Sequence, residues 1–334
     1  AESLPKSVRW QRIDPFFVGN ATRMRGFARA VRRAINAQRF DLVQSHERIP
    51  GVSLYRAGDG VHRRWLELRQ RVRGRLYGYV AGLSPAHRWQ LYAERAMFED
   101  PSLRCVVCNS EMVRNEIATE FGLPRQQLRV IRNGVDLQAF QPPSEAQRHA
   151  ARRAHGVDDR TPVLLFVGSG FERKGLAAAM RALAGVPEAV LLVVGHDRDA
   201  GKYKRFAAEL GVGERVRLLG PLRDVRSCLH AADVFVLPAV YDPMPNAVLE
   251  ARACALPVVT SHQCGAAELL SESSGAVVDA FDQRALTDAV ARFSDRAAAR
   301  AAGLHARAAV EPYSLQRMAD AYLALYAELL DVKR

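Results

Sequence analysis

The sequence predicts an α/β protein of two Rossmann-like domains facing a cleft. Three observations predict it. Apolar runs of strand length alternate with helical stretches along the whole chain, which is the pattern of parallel sheets. The stretch Gln141-Pro142-Pro143-Ser144-Glu145 interrupts this alternation, and the strand–helix pattern starts afresh behind it. At 334 residues the chain is also longer than one compact core usually takes. The boundaries read in this way are 1–142 for a first domain, 149–310 for a second, and 311–334 for a C-terminal helix that packs back toward the first.

In the first domain, the alternation of Val8-Arg9-Trp10-Gln11-Arg12-Ile13-Asp14 predicts a strand, and a basic helix follows over 22–38. Strands are predicted at 40–46 and 52–57. Residues 62–90 then hold seven arginines, Trp65, Trp89, Tyr77 and Tyr79 with a single acid, Glu67. Such a segment fits an interfacial membrane patch, and equally a solvated helical hairpin whose aromatics are core. A helix over 89–98 precedes the buried strand 103–109. Its Cys105-x-x-Cys108 is no chelate or redox pair, because strand positions three apart face opposite sides. Asn109 or Ser110 caps the next helix, which ends near Gly122-Leu123-Pro124. A strand at 128–131 runs into Arg132-Asn133-Gly134-Val135-Asp136, where Asn-Gly predicts a turn with positive φ.

In the second domain, strands are predicted at 163–167, 189–194, 216–220, 234–237, 258–260 and 275–278, with helices between them. The tail over 315–330 is amphipathic, with Met318, Tyr322, Leu325, Tyr326 and Leu329 on one stripe.

Composition narrows the function classes. No run of eighteen apolar residues exists, so a transmembrane helix is excluded. Five scattered cysteines, an odd number, fit a reducing compartment. Residues 1–90 carry 18 Lys and Arg against 6 Asp and Glu, while the rest is balanced at 30 against 30. The excess charge therefore sits in the first domain and favours an anionic partner: a phosphorylated lipid, a membrane surface or nucleic acid. No nucleic-acid motif accompanies it, so nucleic acid is not the expected partner.

Two stretches carry chemistry. Gly168-Ser169-Gly170-Phe171-Glu172-Arg173-Lys174-Gly175 leaves a strand and opens a helix. Glycines there let the backbone approach a ligand, and Arg173 and Lys174 add cations suited to a diphosphate. It is neither a Walker loop nor a dinucleotide fingerprint, since both glycine patterns are broken. The second stretch, Tyr241-Asp242-Pro243-Met244-Pro245-Asn246-Ala247-Val248-Leu249-Glu250, is a Pro-rich turn followed by a helix N-terminus that favours anions. Asp242 and Glu250 suit sugar or ribose hydroxyls. Both stretches follow strands of one parallel sheet and so share its C-terminal edge, where such sheets bind ligands. Together they would grip a nucleotide sugar.

These residues resemble the GT-B glycosyltransferases of the large retaining family 4. The resemblance rests on Val130-Ile131-Arg132-Asn133-Gly134-Val135-Asp136, the 168–175 loop, Asp242 to Glu250, Ala253-Cys254-Ala255-Leu256-Pro257-Val258-Val259 and Gly265-Ala266-Ala267-Glu268, which occur in the family's order. Tyr55-Arg56-Ala57-Gly58-Asp59 and the basic insert behind it are similar to the glucosyltransferases of the lipopolysaccharide core. The resemblance implies a metal-independent hexosyltransferase with no cofactor. Its donor would be a UDP-sugar, with UDP-glucose the best choice, and its acceptor a phosphorylated lipopolysaccharide core. It would work in the cytoplasm, peripheral on the inner face of the cytoplasmic membrane, held to anionic lipid by residues 62–90.

The resemblance also implies residue roles. Arg173 and Lys174 would hold the diphosphate, with Gly168, Ser169 and Gly170 beside it. Glu250 would bind the ribose. Asp242, with the backbone of Met244, Pro245, Asn246 and Ala247, would bind the transferred sugar. Leu222 would meet the base through its main chain. Asp59 would approach the reacting sugar, with His46 a lesser candidate. Two departures stand out: Asp242 replaces the family's usual Glu, and Ser169 replaces a common Arg. The family's opening β-α-β unit has no counterpart, so the first domain is expected to lack it.

Overall fold

The computed structural model of the protein describes residues 7–331, without the side chains of Arg75 and Tyr79. The first domain runs α1 (Gly19–Asn36), β1 (Gln44–Ser45), β2 (Leu54–Ala57), α2 (His62–Arg73), α3 (Arg75–Leu83), α4 (Pro85–Phe98), β3 (Cys105–Cys108), α5 (Glu111–Phe121) and β4 (Leu128–Val130). Among the described residues its strands form a parallel sheet in the order β1-β2-β3-β4. Alternation along the strands sorts their side chains between two cores. Tyr55, Ala57, Val106 and Cys108 meet Met97, Phe98, Val113 and Ile117 from the helices. Leu54, Cys105 and Val107 face the other way. Cys105 and Cys108 thus point into different cores and cannot share a ligand.

The second domain runs α6 (Glu145–Ala154), β5 (Val163–Val167), α7 (Phe171–Lys174), α8 (Leu176–Ala184), β6 (Val190–Val194), α9 (Ala200–Glu209), β7 (Val216–Gly220), α10 (Arg226–Ala231), β8 (Val234–Leu237), α11 (Asn246–Ala253), β9 (Val258–Ser261), β10 (Gly275–Val278), α12 (Gln283–Ser294) and α13 (Arg296–Val310). Its strands pair in parallel in the order β10-β9-β8-β5-β6-β7. The inner strands β5, β6, β8 and β9 are buried throughout, apart from Val167. Helices on both faces explain why they read as unbroken Val/Leu runs. Within the stretch that breaks the pattern, Ser144 forms a capping box with Gln147 and starts α6.

The final helix, α14 (Leu315–Asp331), returns to the first domain. Its Leu325 and Leu329, with Met318, Tyr322 and Tyr326 beside them, cover Leu54, Cys105, Val107 and Ile131. The two chain crossings between the domains are zipped together: the Val135 amide donates to the Tyr313 carbonyl (2.9 Å), and the Leu315 amide to the Val135 carbonyl (3.1 Å).

Three expectations are corrected. Residues 8–14 are not a strand; Val8 and Trp10 are 51% and 70% exposed. Alternation supplies a face, but a strand also needs a partner for its backbone, and none of the described strands pairs with this stretch. The strand expected at 40–46 shrinks to Gln44–Ser45. Gly134 does not adopt a positive φ. Its missing side chain serves close approach instead, because a Cβ would lie 2.7 Å from the Ser314 carbonyl oxygen and 2.8 Å from the Leu315 nitrogen.

Candidate functional site

The order of the second sheet creates the site. The chain enters at β5, builds outward through β6 and β7, then returns to the other side of β5 for β8, β9 and β10. The connections leaving β5 and β8 therefore diverge, which opens a crevice at the carboxyl ends of these adjacent strands. The two chemistry-bearing loops, 168–175 and 238–246, are the connections that leave β5 and β8.

Close packing locks the two loops together. Gly175 has φ +79°, and a side chain there would collide with the Pro238 carbonyl. The Val240 amide donates to the Arg173 carbonyl at 2.8 Å. The stem of Lys174 lies over Gly168, where a Cβ would come 3.2 Å from its Cγ. That passage brings the Lys174 Nζ onto Asp242 Oδ2, an ion pair whose side chains are 12% and 6% exposed. Asp242 is fixed from behind, since its amide donates to the Gln263 carbonyl (3.0 Å) and its carbonyl accepts from the Gly265 amide (2.7 Å). Ser169 and Gly170 are pinned to the loop after β6: the His196 amide donates to the Ser169 hydroxyl, and the Gly170 amide to the His196 carbonyl, both at 3.0 Å.

Lys174 is thus already paired within the site. It neutralises Asp242, as a buried charge requires. A ligand anion has to share the ammonium with the carboxylate. Arg173, one residue earlier, faces elsewhere and lines a cavity of about 390 Å³ with Trp65, Arg69, His196, Arg198 and Lys202. The two neighbouring cations therefore serve different spaces.

The remaining predicted residues divide. Met244 is buried at the start of α11, Pro245 caps the helix, and Asn246 and Ala247 form its first turn. Glu250 is half-buried one turn further on, and burial pushes its carboxyl above the ordinary range. Leu222 follows the edge strand β7 and is 41% exposed. In the first domain, Asp59 is 69% exposed and stands 3.8 Å from Arg48. His46 is exposed beside Gln44, and burial together with Arg56 lowers its pKa.

Sequence reasoning gave no role to the side chains that join the domains. Asn133 Nδ2 donates to the Met244 carbonyl (3.0 Å) and to Asn246 Oδ1 (2.7 Å), while its own Oδ1 accepts from Arg56 (2.6 Å). Glu268 accepts from Arg132 (2.7 Å) and from the Glu111 amide (2.8 Å). Glu172 accepts from Arg69 (2.5 Å) and Arg73 (2.6 Å) of α2. Burial alone would raise the Glu172 pKa, but the two arginines override it and hold the carboxyl below its ordinary range. Tyr241 donates to Glu116 (2.6 Å) and accepts from the Val61 amide (2.8 Å). Asn133 and Glu268 lie in motifs that the sequence did single out. Tyr241 and Glu172 lie inside the two chemistry-bearing stretches, but nothing local gave their side chains a role.

The family model "Glycosyltransferase Family 4" matches residues 2–139, and "Glycosyl transferases group 1" matches residues 147–306. The chain is 26% identical over 256 residues to the lipopolysaccharide glucosyltransferase WaaG of Escherichia coli K12, covering 74% of this chain and 66% of that protein. It is 30% identical over 236 residues to the lipopolysaccharide core biosynthesis glycosyltransferase LpsE of Rhizobium meliloti, covering 67% and 64%. It is 33% identical over 193 residues to a GDP-mannose-dependent monoacylated phosphatidylinositol monomannoside mannosyltransferase of Corynebacterium glutamicum, covering 54% and 50%. The matches thus span half to two thirds of these relatives' own length. The crystal structure of WaaG superposes with a TM-score of 0.82 at 24% identity, over 96% of this chain and 87% of that one. Anabaena Alr3699/HepE, solved with UDP-glucose, superposes at 0.67 with 18% identity, over 91% and 77%. The architecture is therefore the GT-B fold.

Proposed function

The chain belongs to the group 1, family 4 glycosyltransferases, and from that premise we propose that it is a retaining, metal-independent hexosyltransferase. In this reading it moves glucose from UDP-glucose to a phosphorylated lipopolysaccharide core at the cytoplasmic membrane face. The observation that carries the reading is the Lys174–Asp242 pair, held at the switch point between β5 and β8. A cation and a carboxylate fixed there suit the phosphate and the sugar of one nucleotide sugar.

The roles in this reading are those the family resemblance implies. Lys174 shifts part of its hydrogen bonding from Asp242 to the donor diphosphate and stabilises the charge that grows as UDP leaves. Arg173 adds a cation to a neighbouring cavity whose lining mixes Arg198 and Lys202 with Asp197 and Asp199. Asp242, once shared, accepts from hydroxyls of the transferred sugar, beside the first turn of α11. Glu250 binds the ribose, and the Leu222 main chain meets the base. Asp59 approaches the reacting sugar from the first domain. Attack on the donor's front face, with the leaving phosphate taking the acceptor proton, gives retention.

Relatives named for lipopolysaccharide synthesis support the acceptor class. The membrane surface in this reading is the α2–α3 segment. No described helix is long and apolar enough to cross a membrane. Yet α3 exposes Leu76, Val80 and Leu83, an apolar face that suits a membrane interface. A second donor, GDP-mannose, is favoured by the 33% identity to a mannosyltransferase that uses it.

The test is UDP release and hexose incorporation with a purified core acceptor, run with UDP-glucose and GDP-mannose in parallel, with and without EDTA. Transfer from UDP-glucose, with the anomeric configuration kept and EDTA without effect, is expected. A donor that binds while no transfer occurs would reduce the protein to a nucleotide-sugar-binding chain. No binding of either donor would overturn the reading.

A further inference from the structure

One side chain of the second domain is inserted into the first. Tyr241 is 1% exposed and packs against Leu68 and Trp65 of α2 and Met112 of α5. Its base is rigid, because the backbones of Val240 and Asp242 on either side are bonded to Arg173 and to the 263–265 segment. Its tip meets the loop that carries Asp59. A Cβ on Gly60, which has φ +68°, would lie 2.7 Å from the Tyr241 Cζ, so the loop's backbone rests on the ring itself. The phenol oxygen accepts from the Val61 amide and donates to Glu116 Oε2. The same loop is held from inside the first domain, where Arg48 donates to the Gly60 carbonyl (2.9 Å) and the His62 amide donates to Glu94 (3.1 Å).

We propose that Tyr241 is a positioning residue, which sets the Asp59 loop in register with Asp242 through a hydroxyl shared between the Val61 amide and the Glu116 carboxyl. The hydroxyl ties the acceptor-side loop to the residue just before the donor-side carboxylate. A phenylalanine would fill the same volume but leave the buried Val61 amide without its acceptor and the half-buried Glu116 carboxyl without its closest donor. The loop would then lose its register while the donor loops stay intact. The inference rests on the hexosyltransfer reading for its catalytic consequence only; the register is a property of the fold.

The link is also sensitive to protons. Burial is the largest influence on Glu116 and raises its pKa to about 7, against the lowering effects of Tyr241 and Arg64. Glu67 of α2 and Glu94 of α4 raise it further. An exposed glutamate releases its proton near 4.5. To the extent that docking adds to this burial, the docked arrangement holds the proton more tightly than the undocked one. Docking is strongest below about pH 4.5, weakens as pH rises toward 7, and changes no further above that.

Two measurements on the full chain test this. Fluorophores on Cys introduced at the exposed Glu99 and Lys204 read the separation of the domains, since the native cysteines are buried. Energy transfer in the otherwise native protein should fall as pH rises from 5.5 to 7.5. Glu116→Gln, which cannot ionise, should flatten that fall, and Tyr241→Phe should lower transfer at every pH. With UDP-glucose and acceptor, Tyr241→Phe should lower kcat by roughly tenfold to a hundredfold, as misplaced reacting groups do, with the donor KM within threefold. A Glu116→Gln profile that still falls like the native one, or a Tyr241→Phe protein with native energy transfer, overturns the proposal. If no variant transfers sugar, the energy-transfer measurement still decides it, and the failure belongs to the hexosyltransfer reading alone.

Discussion

The two domains use their sheets differently. In the second, the six strands double back at β5 and β8, so the two loops that leave these strands flank one crevice. In the first, the four described strands follow one another without reversal, and the sheet builds no such crevice of its own. Its Asp59 loop is held by Tyr241 from the second domain and by Arg48, Glu94 and Asn109 from its own. The donor half is therefore a self-sufficient site. The acceptor half is completed by contact, through Asn133, Glu268, Glu172 and Tyr241. If that contrast is right, damage inside the second domain should destroy donor binding, and damage at the interface should spare it.

The largest effect is expected from Lys174→Ala. It strands Asp242 as a buried carboxylate without its cation, which costs about 3–5 kcal/mol. Loss of the charge that faces the departing phosphate should also cut turnover by roughly 10²- to 10³-fold. Urea unfolding and donor titration measure the two. Native affinity for UDP in this variant would break the contrast, because the donor site would then not depend on the switch-point pair. Gly175→Ala comes next. It forces a left-handed φ on a residue with a side chain and drives that side chain into the Pro238 carbonyl. Backbone cannot yield as a side-chain tip can, so a loss of about 1–3 kcal/mol and weaker donor binding are expected.

The same contrast decides what could be read in the sequence. The strands of the second domain are legible almost to the residue, because a strand buried on both faces is an unbroken apolar run. The Lys174 and Asp242 loops are legible because each is a continuous motif behind such a run. The first domain is harder. The 8–14 stretch alternates well enough for a strand but has no pairing partner, and alternation does not report partners. Gly134 reads as a turn glycine, yet the reason for it lies with Ser314 and Leu315, far away in the chain. The amide of Val61 and the carboxyl of Glu116 meet a hydroxyl 180 and 125 residues away. Contacts of that span leave no local period or spacing behind, so the strands and helices of the first domain could be foreseen but not the contacts that fix its Asp59 loop.

An intermediate effect tests the interface by charge. Glu172→Gln removes the partner of both Arg69 and Arg73. Because Arg73 is 38% exposed, solvent screens part of the attraction, and about 1 kcal/mol is expected. The pH sign is fixed by the lowered pKa of Glu172. Its contribution is fully present above the ordinary carboxylate range near 4.5 and is lost as pH falls through the lowered value. The stability gap between native protein and Glu172→Gln should therefore close in acid. A gap that stays open down to pH 2 would show that the ion pairs are not its source.

The smallest structural effect, and the sharpest division between the halves, is expected from Asp59→Asn. Asp59 is largely exposed, and its one described cationic neighbour, Arg48, is 3.8 Å away and more closely engaged with Glu94 at 2.9 Å. An exposed charge in that setting contributes about 0.5 kcal/mol or less to folding. The amide is nearly the same size, so neither Gly60 nor Val61 has cause to move from Tyr241. Unfolding and donor affinity should both match the native protein within error and within twofold, respectively. Only the step that needs the acceptor-side carboxylate should suffer, so kcat should fall by at least tenfold. Equal losses in donor affinity and kcat would instead make Asp59 part of the donor site, and the division between a self-sufficient half and a completed half would fail at the residue where the two are meant to meet.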